Sequence, residues 1–217
     1  MGTNTWGEPE KLDLGGDSAK AIGHPTLSTD ESTIYFSADL PGGKGGKDIW
    51  MAAKKGKTKS GGYSKAENLG PDINTAGDEL FPFIRNDTVL YFASNGHNGM
   101  GGLDVFMSVR STDGKWSKPE NMKYPINTCS DDFAIVFNTE ESEEGYFSSN
   151  RAGGKGKDDI YSFVVPPLLF TLEGNITDDR TRQPVGGALV QITGTNGKSM
   201  KYNSDEKGHY SFNKNQI

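Results

Sequence analysis

The sequence contains a single cysteine, Cys129, and only three histidines. One cysteine cannot form a disulfide framework within the chain, and it does not identify the cellular compartment. The longest apolar run, FVVPPLLFTL, is short and is interrupted by Pro166 and Pro167, so we expect no membrane-spanning helix. The first residues, MGTNTWGEPEKLDLGG, lack the apolar core of a signal peptide.

Segments with a helical apolar period are also missing from the sequence. The 29 glycines, the ten prolines and the many aromatic residues favour short strands joined by tight turns. A net charge of -6 argues against a nucleic-acid-binding protein, which normally has a basic face. The length of 217 residues allows one large domain or two small ones.

One sequence pattern, which we call the first phrase, occurs in three copies that align without a gap: YFSADLPGGKGGKDIWMA, YFASNGHNGMGGLDVFMS and YFSSNRAGGKGKDDIYSF. Its aspartates, Asp48, Asp104 and Asp159, are 56 and 55 residues apart. A second phrase keeps the same spacing, and its copies are WGEPEKL, YSKAENL and WSKPENM. Two phrases repeated in step indicate a repeat architecture.

Each period contains four candidate strands, which in the first copy are residues 24–28, 33–38, 48–53 and 63–69. Four short antiparallel strands in a period of about 40–60 residues are typical of a β-propeller blade. We therefore predict an all-β protein with a partial propeller of about three four-stranded blades, the third of which ends after three strands. Because closed propellers have about four to eight blades, we expect either an excerpt of a longer propeller or an open arc that needs a partner.

The pattern changes after the third copy. Candidate strands at residues 172–177, 188–193, 199–203 and 210–212 alternate between apolar and polar side chains. Such strands, separated by turns, predict a small β-sandwich, which is truncated because a complete one has about seven strands. The predicted domains are residues 1–165, the propeller repeats, and residues 166–217, the sandwich.

The glycine-rich loops resemble ligand loops, but their spacing does not fit a nucleotide. Each loop reads G-x-G-x-x-D and leads into a strand, whereas a dinucleotide fingerprint opens a helix and a P-loop has a different spacing. A calcium site needs six to eight oxygens, and these loops consist mostly of Gly and Lys. We predict structural turns without metal or cofactor, in which glycines adopt positive φ and the aspartate accepts backbone hydrogen bonds; the residues are Gly43, Gly99, Gly154, Asp48, Asp104 and Asp159.

Residues suited to catalysis are few and scattered. The three histidines, His24, His97 and His209, stand at unrelated positions, and no G-x-S-x-G motif is present. The paired carboxylates are interpreted as solvated turns: Asp131–Asp132, Glu140–Glu141 and Glu143–Glu144. We therefore predict no catalytic residue and no enzymatic activity.

The aromatic residues fall into two groups. Those repeated on strands are interpreted as core between blades: Phe36, Phe92, Phe147, Trp50, Phe106 and Tyr161. Those at the start of the second phrase, Trp6, Tyr63 and Trp116, are candidate surface aromatics for a sugar or a peptide, although packing is the commoner role of such positions.

The copies carry the features of a known repeat. YFSSNRAGGKGKDDIY resembles the WD40-like, TolB-type propeller repeat called PD40, with its strand, its Asn-Arg-x-Gly-Gly loop and its Asp-Ile-Tyr. NLGPDINT and YPINT resemble the variant found in large envelope proteins of Bacteroidetes, and the first copy departs from it with LDLGGDSAKAIG. The tail, GNITDDRTRQPVGGALVQI followed by SDEKGHYSF, resembles the carboxypeptidase regulatory-like domain.

This resemblance implies a PorE-like protein of the OmpA family, linked in some members to type IX secretion. It implies a periplasmic, outer-membrane-associated, non-enzymatic scaffold that binds envelope proteins through propeller loops, and a separate domain for peptidoglycan. The loops that differ most between copies, residues 54–59 and Glu140–Glu144, are the candidate docking loops. The alternative is a regulatory or glycan-binding propeller module of a hydrolase system.

Overall fold

The computed structural model describes residues 7–9, 11–14, 21–56, 62–165, 171–193 and 199–213. These residues form fifteen β-strands and no helix, which confirms the predicted all-β class. Accordingly, no helix within these ranges has the length and apolar character of a membrane span. The chain divides into two compact units, Met1–Val165 and Pro166–Ile217.

The first unit contains three antiparallel sheets, in each of which consecutive strands are neighbours. The first sheet consists of β1 (Ile22–Leu27), β2 (Thr33–Ala38), β3 (Asp48–Ala53) and β4 (Glu67–Asn68). The second consists of β5 (Glu79–Arg85), β6 (Val89–Ser94), β7 (Asp104–Val109) and β8 (Glu120–Asn121). The third has only three strands, β9 (Asp132–Phe137), β10 (Glu144–Ser149) and β11 (Asp159–Val164).

The fourth strands are shorter than the sequence predicts. Residues 63–69 were expected to form one strand, but only Glu67–Asn68 pairs regularly with β3, and Tyr63 forms an isolated bridge with Lys54. Between them, the N–H of Ala53 donates to the hydroxyl of Ser64 instead of a backbone carbonyl. The hydroxyl of Ser64 thus replaces a backbone acceptor in the hydrogen-bond ladder, and this interrupts the strand.

The three sheets stack because both faces of the middle strands are apolar. In this stack, the front face of a sheet points toward the preceding sheet and the rear face toward the following one. Along β2, Phe36 lies on the front face and Tyr35 on the rear face, as the period of two requires. The core between the first and second sheets joins Tyr35, Ile49 and Ile73 to Ile84, Leu90, Phe92 and Phe106.

The core between the second and third sheets repeats this composition. It contains Tyr91, Val105 and Ile126 from the second sheet side and Ile135, Phe137, Phe147 and Phe163 from the third. The first strands, β1, β5 and β9, lie side by side along one edge of the stack, which we call the inner edge. Burial of these apolar side chains holds the sheets together at about 25 cal/mol per Å² of apolar surface.

The second unit contains two two-stranded sheets. β12 (Thr171–Asn175) pairs with β15 (His209–Asn213), and β13 (Leu189–Thr193) pairs with β14 (Ser199–Asn203). Its buried residue Phe212 contacts the rings of Tyr202 and Tyr210 at centroid distances of 5.8 and 6.1 Å. All four predicted strands are therefore present, with ends shifted by one or two residues at some positions.

Candidate functional site

The repeated glycine loops join the second and third strands of each sheet, and their aspartates organise them. Oδ2 of Asp104 accepts hydrogen bonds from the N–H groups of Met100 (2.8 Å) and Gly101 (3.0 Å). Asp159 accepts the equivalent pair at 2.9 and 3.0 Å. Asp48 accepts one backbone bond at 2.5 Å and one from the asparagine of β4 at 2.8 Å. The carboxylate therefore serves as the turn's own hydrogen-bond acceptor.

The first glycine of each motif is required by space and not by its backbone angle. A Cβ atom at Gly43, Gly99 or Gly154 would lie 2.6, 2.0 and 2.0 Å from Oδ2 of the aspartate of its own loop. None of these three residues has a positive φ, so the role predicted for them is wrong in this respect. The positive φ belongs to the preceding glycines, Gly42 and Gly153, in two of the copies.

The second glycine of each of the first two motifs meets the next sheet. A Cβ at Gly45 would lie 2.3 Å from the carbonyl carbon of Ala76, and one at Gly101 would lie 2.1 Å from the carbonyl oxygen of Ser130. Next to these contacts, the N–H of Lys47 donates to Asp78 and that of Leu103 to the equivalent aspartate, each at 2.8 Å. The first two loops thus fasten neighbouring sheets together, and we call this contact the clasp.

Two carboxylate oxygens of the loops have no hydrogen-bond partner. Oδ1 of Asp48 and Oδ1 of Asp104 are buried and unpaired. Among the described residues, no group of three carboxylate, thiol or imidazole side chains lies close enough together to hold a metal ion. The geometry of these loops supports fastening of the sheets, while the absence of a metal stays a prediction.

A buried acid opens the first strand of the second sheet. Glu79 is fully buried and accepts hydrogen bonds from the N–H and hydroxyl of Thr75 at 2.8 and 2.6 Å and from the hydroxyl of Ser94 at 2.7 Å. In the first sheet the cross-strand pair at this place is Ile22 and Ala38. The first sheet therefore lacks this polar network, because Ile22 and Ala38 occupy the places of Glu79 and Ser94.

Asp132 repeats this network in the third sheet and adds a cation. The fully buried carboxylate accepts bonds from the N–H and hydroxyl of Thr128, from Ser149 and from the guanidinium of Arg151 at 2.6 Å. The interpretation of Asp131–Asp132 as a solvated turn is wrong for Asp132. This carboxylate is buried, and it is hydrogen-bonded by other residues of the protein. The spacing Thr-x-x-x-Asp/Glu, present in two copies, was the signal in the sequence.

The inner edge carries the most unusual backbone of the first unit. His24, Phe81 and Ala134 stand at equivalent positions of β1, β5 and β9 and have φ values of 53°, 51° and 54°. At each of them the pairing with the second strand shifts register. Such left-handed residues cost about 1–3 kcal/mol each and concentrate at functional sites. The repeated bulge therefore marks the inner edge as the candidate site.

The bulges bring ring side chains together in a shallow groove. The rings of His24 and Phe81 stack with centroids 3.8 Å apart, and Phe81 lies 5.1 Å from Phe133. An open groove of about 160 Å³ runs over these strands. It is lined by His24, Pro25, Thr26, Phe81, Pro82, Phe83, Ala134, Ile135 and Val136. We call it the inner groove.

Among the described residues that line the inner groove, His24 has the only ionisable side chain. Its Nδ1 accepts a hydrogen bond from the N–H of Phe81 at 3.4 Å, so the neutral ring carries its proton on Nε2. Burial, and secondly the charge of Lys47, lower the pKa of His24 below its usual 6.5. The groove is therefore apolar and uncharged at neutral pH.

The lowered pKa of His24 predicts how stability depends on pH. The unfolded chain binds a proton at His24 near pH 6.5, whereas the folded chain binds it only at a lower pH. The contribution of the neutral His24 ring to the free energy of unfolding is therefore fully present above pH 6.5. This contribution is lost as the pH falls through the pKa that His24 has in the folded protein. We expect the pH dependence of the urea midpoint between pH 7 and 5 to be smaller in His24→Asn than in the wild type. Equal slopes in both proteins would contradict this assignment.

The candidate surface aromatics are not free platforms. Tyr63 is half-buried and packs against the core of the first sheet. Trp116 is half-buried against the second core, with its edge toward Tyr35 at 6.4 Å and the guanidinium of Arg110 5.8 Å from its ring. Trp6 lies outside the described residues.

The acidic loop at residues 140–144 supports the framework. The guanidinium of Arg85 donates to the carbonyls of Glu140 (2.9 Å) and Ser142 (2.8 Å), and lies 4.2 Å from the ring centre of Phe137. The carboxylate of Glu140 also accepts the N–H of Asn86 at 2.6 Å. An exchange of this loop therefore disturbs folding as well as any docking. Part of the basic loop, residues 57–59, lies outside the described residues.

The chain matches no protein-family model, and no curated protein is significantly similar to it. Fold and site alone therefore define its class. It is an all-β protein of small antiparallel sheets, three of them stacked, whose inner edge presents an apolar groove.

Proposed function

We propose that the protein is a non-enzymatic scaffold that holds partner proteins of the cell envelope. The observation that carries this proposal is the inner groove, which is lined by the three equivalent bulge residues His24, Phe81 and Ala134, with the rings of His24 and Phe81 stacked. The clasps and the buried acids make the stack beneath it rigid. Rigid strands under an exposed apolar surface are the arrangement that docking sites use.

The chemistry of the groove favours an extended apolar peptide segment. The first strands are edge strands, and their bulges interrupt the row of backbone groups that a partner strand would need. A partner is therefore recognised by side chains of the groove and not by strand pairing. The prolines and the rings provide apolar contacts, and the Nε2–H of His24 provides a single hydrogen-bond donor. Apolar side chains of a partner loop fit this composition.

The setting of this scaffold in the envelope rests on the resemblance to PD40 repeats and to the carboxypeptidase regulatory-like domain. We propose the periplasm, in association with the outer membrane, and a parent protein of the OmpA family. Partners in that compartment are proteins that approach the propeller through its inner groove and its loops. Peptidoglycan binding is assigned to no residue of this chain.

Site-specific photo-crosslinking tests the proposal. A benzoylphenylalanine at Thr26, which lines the inner groove, is expected to give discrete protein adducts in a Bacteroidetes host, and Phe81→Ala in the same chain is expected to reduce them several-fold. The matched control carries the same group at the exposed Lys118. Its adducts are expected to be fewer and unaffected by Phe81→Ala.

The runner-up, a regulatory or glycan-binding module of a hydrolase system, predicts other results. The ring faces of His24 and Phe81 stack on each other, which leaves less aromatic surface for a sugar than an open platform would. Carbohydrate adducts at Thr26, or turnover of peptide or glycan substrates by the purified chain, would replace the scaffold with this alternative.

A further inference from the structure

An asparagine side chain closes the third strand of the first sheet and of the second. These closures lie at the edge opposite the inner edge, which we call the outer edge. The amide of Asn74 accepts the N–H of Ile49 at 2.7 Å and donates to its carbonyl at 3.0 Å. Asn127 makes the same two bonds with Val105, both at 2.8 Å. Each asparagine thus pairs with the strand as a backbone amide would.

A second asparagine precedes each of these by six residues and lies in the short fourth strand. The two side chains are hydrogen-bonded to each other, Asn74 to Asn68 at 3.0 Å and Asn127 to Asn121 at 2.9 Å. The segments read ENLGPDINT and ENMKYPINT, so both have the pattern Glu-Asn-apolar-x-x-x-Ile-Asn-Thr. We call a stretch with this pattern a closing segment.

The closing segments also cover the rear faces of their sheets. Ile73 of the first segment is buried in the same core as Ile49, and Ile126 of the second is buried in the same core as Val105. One closing segment therefore does two things: it pairs with the outer edge, and it adds an isoleucine to the apolar core.

The third sheet has no closing segment within the described ranges. There, β11 pairs with β10 alone. Ile160 is the counterpart of Ile49 and Val105, and it is 77% exposed whereas both of these are 0% exposed. No asparagine side chain of the described residues is bonded to its backbone. The exposure of Ile160 therefore marks the place of an absent closing segment.

The backbone of β11 is oriented to accept such a segment. The N–H of Val165 donates to the carbonyl of Glu143 at 2.7 Å, on the side of β10. Alternate residues of a strand bond to opposite neighbours, and the pairing of β10 with β11 is in unbroken register. The N–H and C=O groups of Ile160, Ser162 and Val164 therefore point to the outer edge, where an added strand can use them.

We propose that the outer edge of β11 binds a closing segment of a partner protein by strand addition. The partner's backbone pairs with Ser162, its second asparagine bonds to the N–H and C=O of Ile160, and its isoleucine packs on the Ile160 side chain. Such addition of a strand to a sheet edge is a common mode of peptide recognition.

The chemistry of the occupant follows from the two equivalent edges. The sequence contains the closing pattern only twice, and both copies are bonded in their own sheets. A third copy therefore has to come from another polypeptide. This site lies at the edge opposite the inner groove, and the proposal does not rest on the function proposed for that groove.

A synthetic peptide tests the site on the full chain. The probe is fluorescein-labelled YSKAENLGPDINT, the sequence of residues 63–75, and its fluorescence anisotropy is measured against the purified protein. We expect saturable binding of one peptide per chain at micromolar concentration. The same peptide with Asn68→Ala and Asn74→Ala is expected to bind about tenfold more weakly, because it lacks the side-chain hydrogen bonds. A scrambled peptide is the control for composition.

Variants of the chain locate the bound peptide. Ser162→Pro removes an N–H group that points to the outer edge, and an edge strand tolerates proline. It is expected to weaken binding at least about tenfold, as loss of a main-chain bond and of room for the added strand requires. Ser162→Ala keeps this N–H and is expected to bind as the wild type does. Circular dichroism checks that both variants are folded.

Hydrogen exchange of the wild type gives a readout that needs no variant. The amides of Ile160 and Ser162 are expected to exchange more slowly when the peptide is bound. Phe81→Ala, in the inner groove, is expected to leave the affinity unchanged, so failure of this site and failure of the groove are distinguishable. No saturable binding, equal affinity of the peptide without its asparagines, protection away from β11, or loss of binding in Phe81→Ala would overturn the proposal.

Discussion

Replacement of Asp132 by alanine is expected to lower the free energy of unfolding by about 3–5 kcal/mol, the usual cost of breaking a buried ion pair. The fully buried carboxylate binds Thr128, Ser149 and Arg151. Its loss leaves the guanidinium charge without a counter-ion and the part-buried N–H of Thr128 without its acceptor, although the guanidinium keeps its bonds to the carbonyls of Pro125 and Ile126. Urea unfolding of the wild type and the variant measures the difference as a shift of the midpoint.

The exposed Asp158 supplies the control for this experiment. Asp158→Ala is expected to change the free energy of unfolding by less than about 0.5 kcal/mol, as is usual for surface positions. Asp132→Asn is expected to be intermediate, since an amide oxygen can accept part of the network. Equal midpoints for Asp132→Ala and Asp158→Ala would show that the network does not stabilise the fold.

Gly101→Ala is expected to destabilise the protein by about 1–3 kcal/mol, because the added Cβ would lie 2.1 Å from the backbone oxygen of Ser130 in the clasp. The clash involves backbone, so one of the two sheets has to move. The equivalent change in the third loop, Gly156→Ala, meets nothing closer than 3.5 Å. It is expected to leave the unfolding of the single chain nearly unchanged.

This pair of variants separates the clasp from intrinsic glycine preference. Neither Gly101 nor Gly156 has a positive φ, so the two substitutions differ in their neighbours and not in backbone strain. Thermal unfolding of both proteins gives the comparison. A loss of similar size at both positions would mean that the loop itself, and not the contact with the next sheet, requires glycine.

The sequence predicted the inner framework of the sheets well. The bounds of β2 and β3 agree with residues 33–38 and 48–53, because a short, mostly apolar run between turn residues defines a strand that is buried on both faces. The turning role of the repeated aspartates also followed from their position between strands. The fourth strand was overestimated, since the hydroxyl of Ser64 replaces a ladder bond and no pattern of apolar residues reveals this.

The inner groove could not be predicted from the repeat. Its three bulge residues, His24, Phe81 and Ala134, share a backbone conformation but no side-chain type, so an alignment of the copies shows nothing unusual there. The burial of Asp132 was missed for a related reason. Neighbouring acids usually lie in solvent, and the partner that neutralises this one, Arg151, comes from a different loop.

The bulges at the inner edge also bear on solubility. An edge strand with a regular row of free N–H and C=O groups is a template for aggregation, and a bulge disrupts that template. β1, β5 and β9 each contain a bulge, whereas β11 pairs with its single neighbour in unbroken register. Among the described edge strands of the first unit, β11 is the six-residue strand without a bulge, so strand-to-strand aggregation is expected to involve β11.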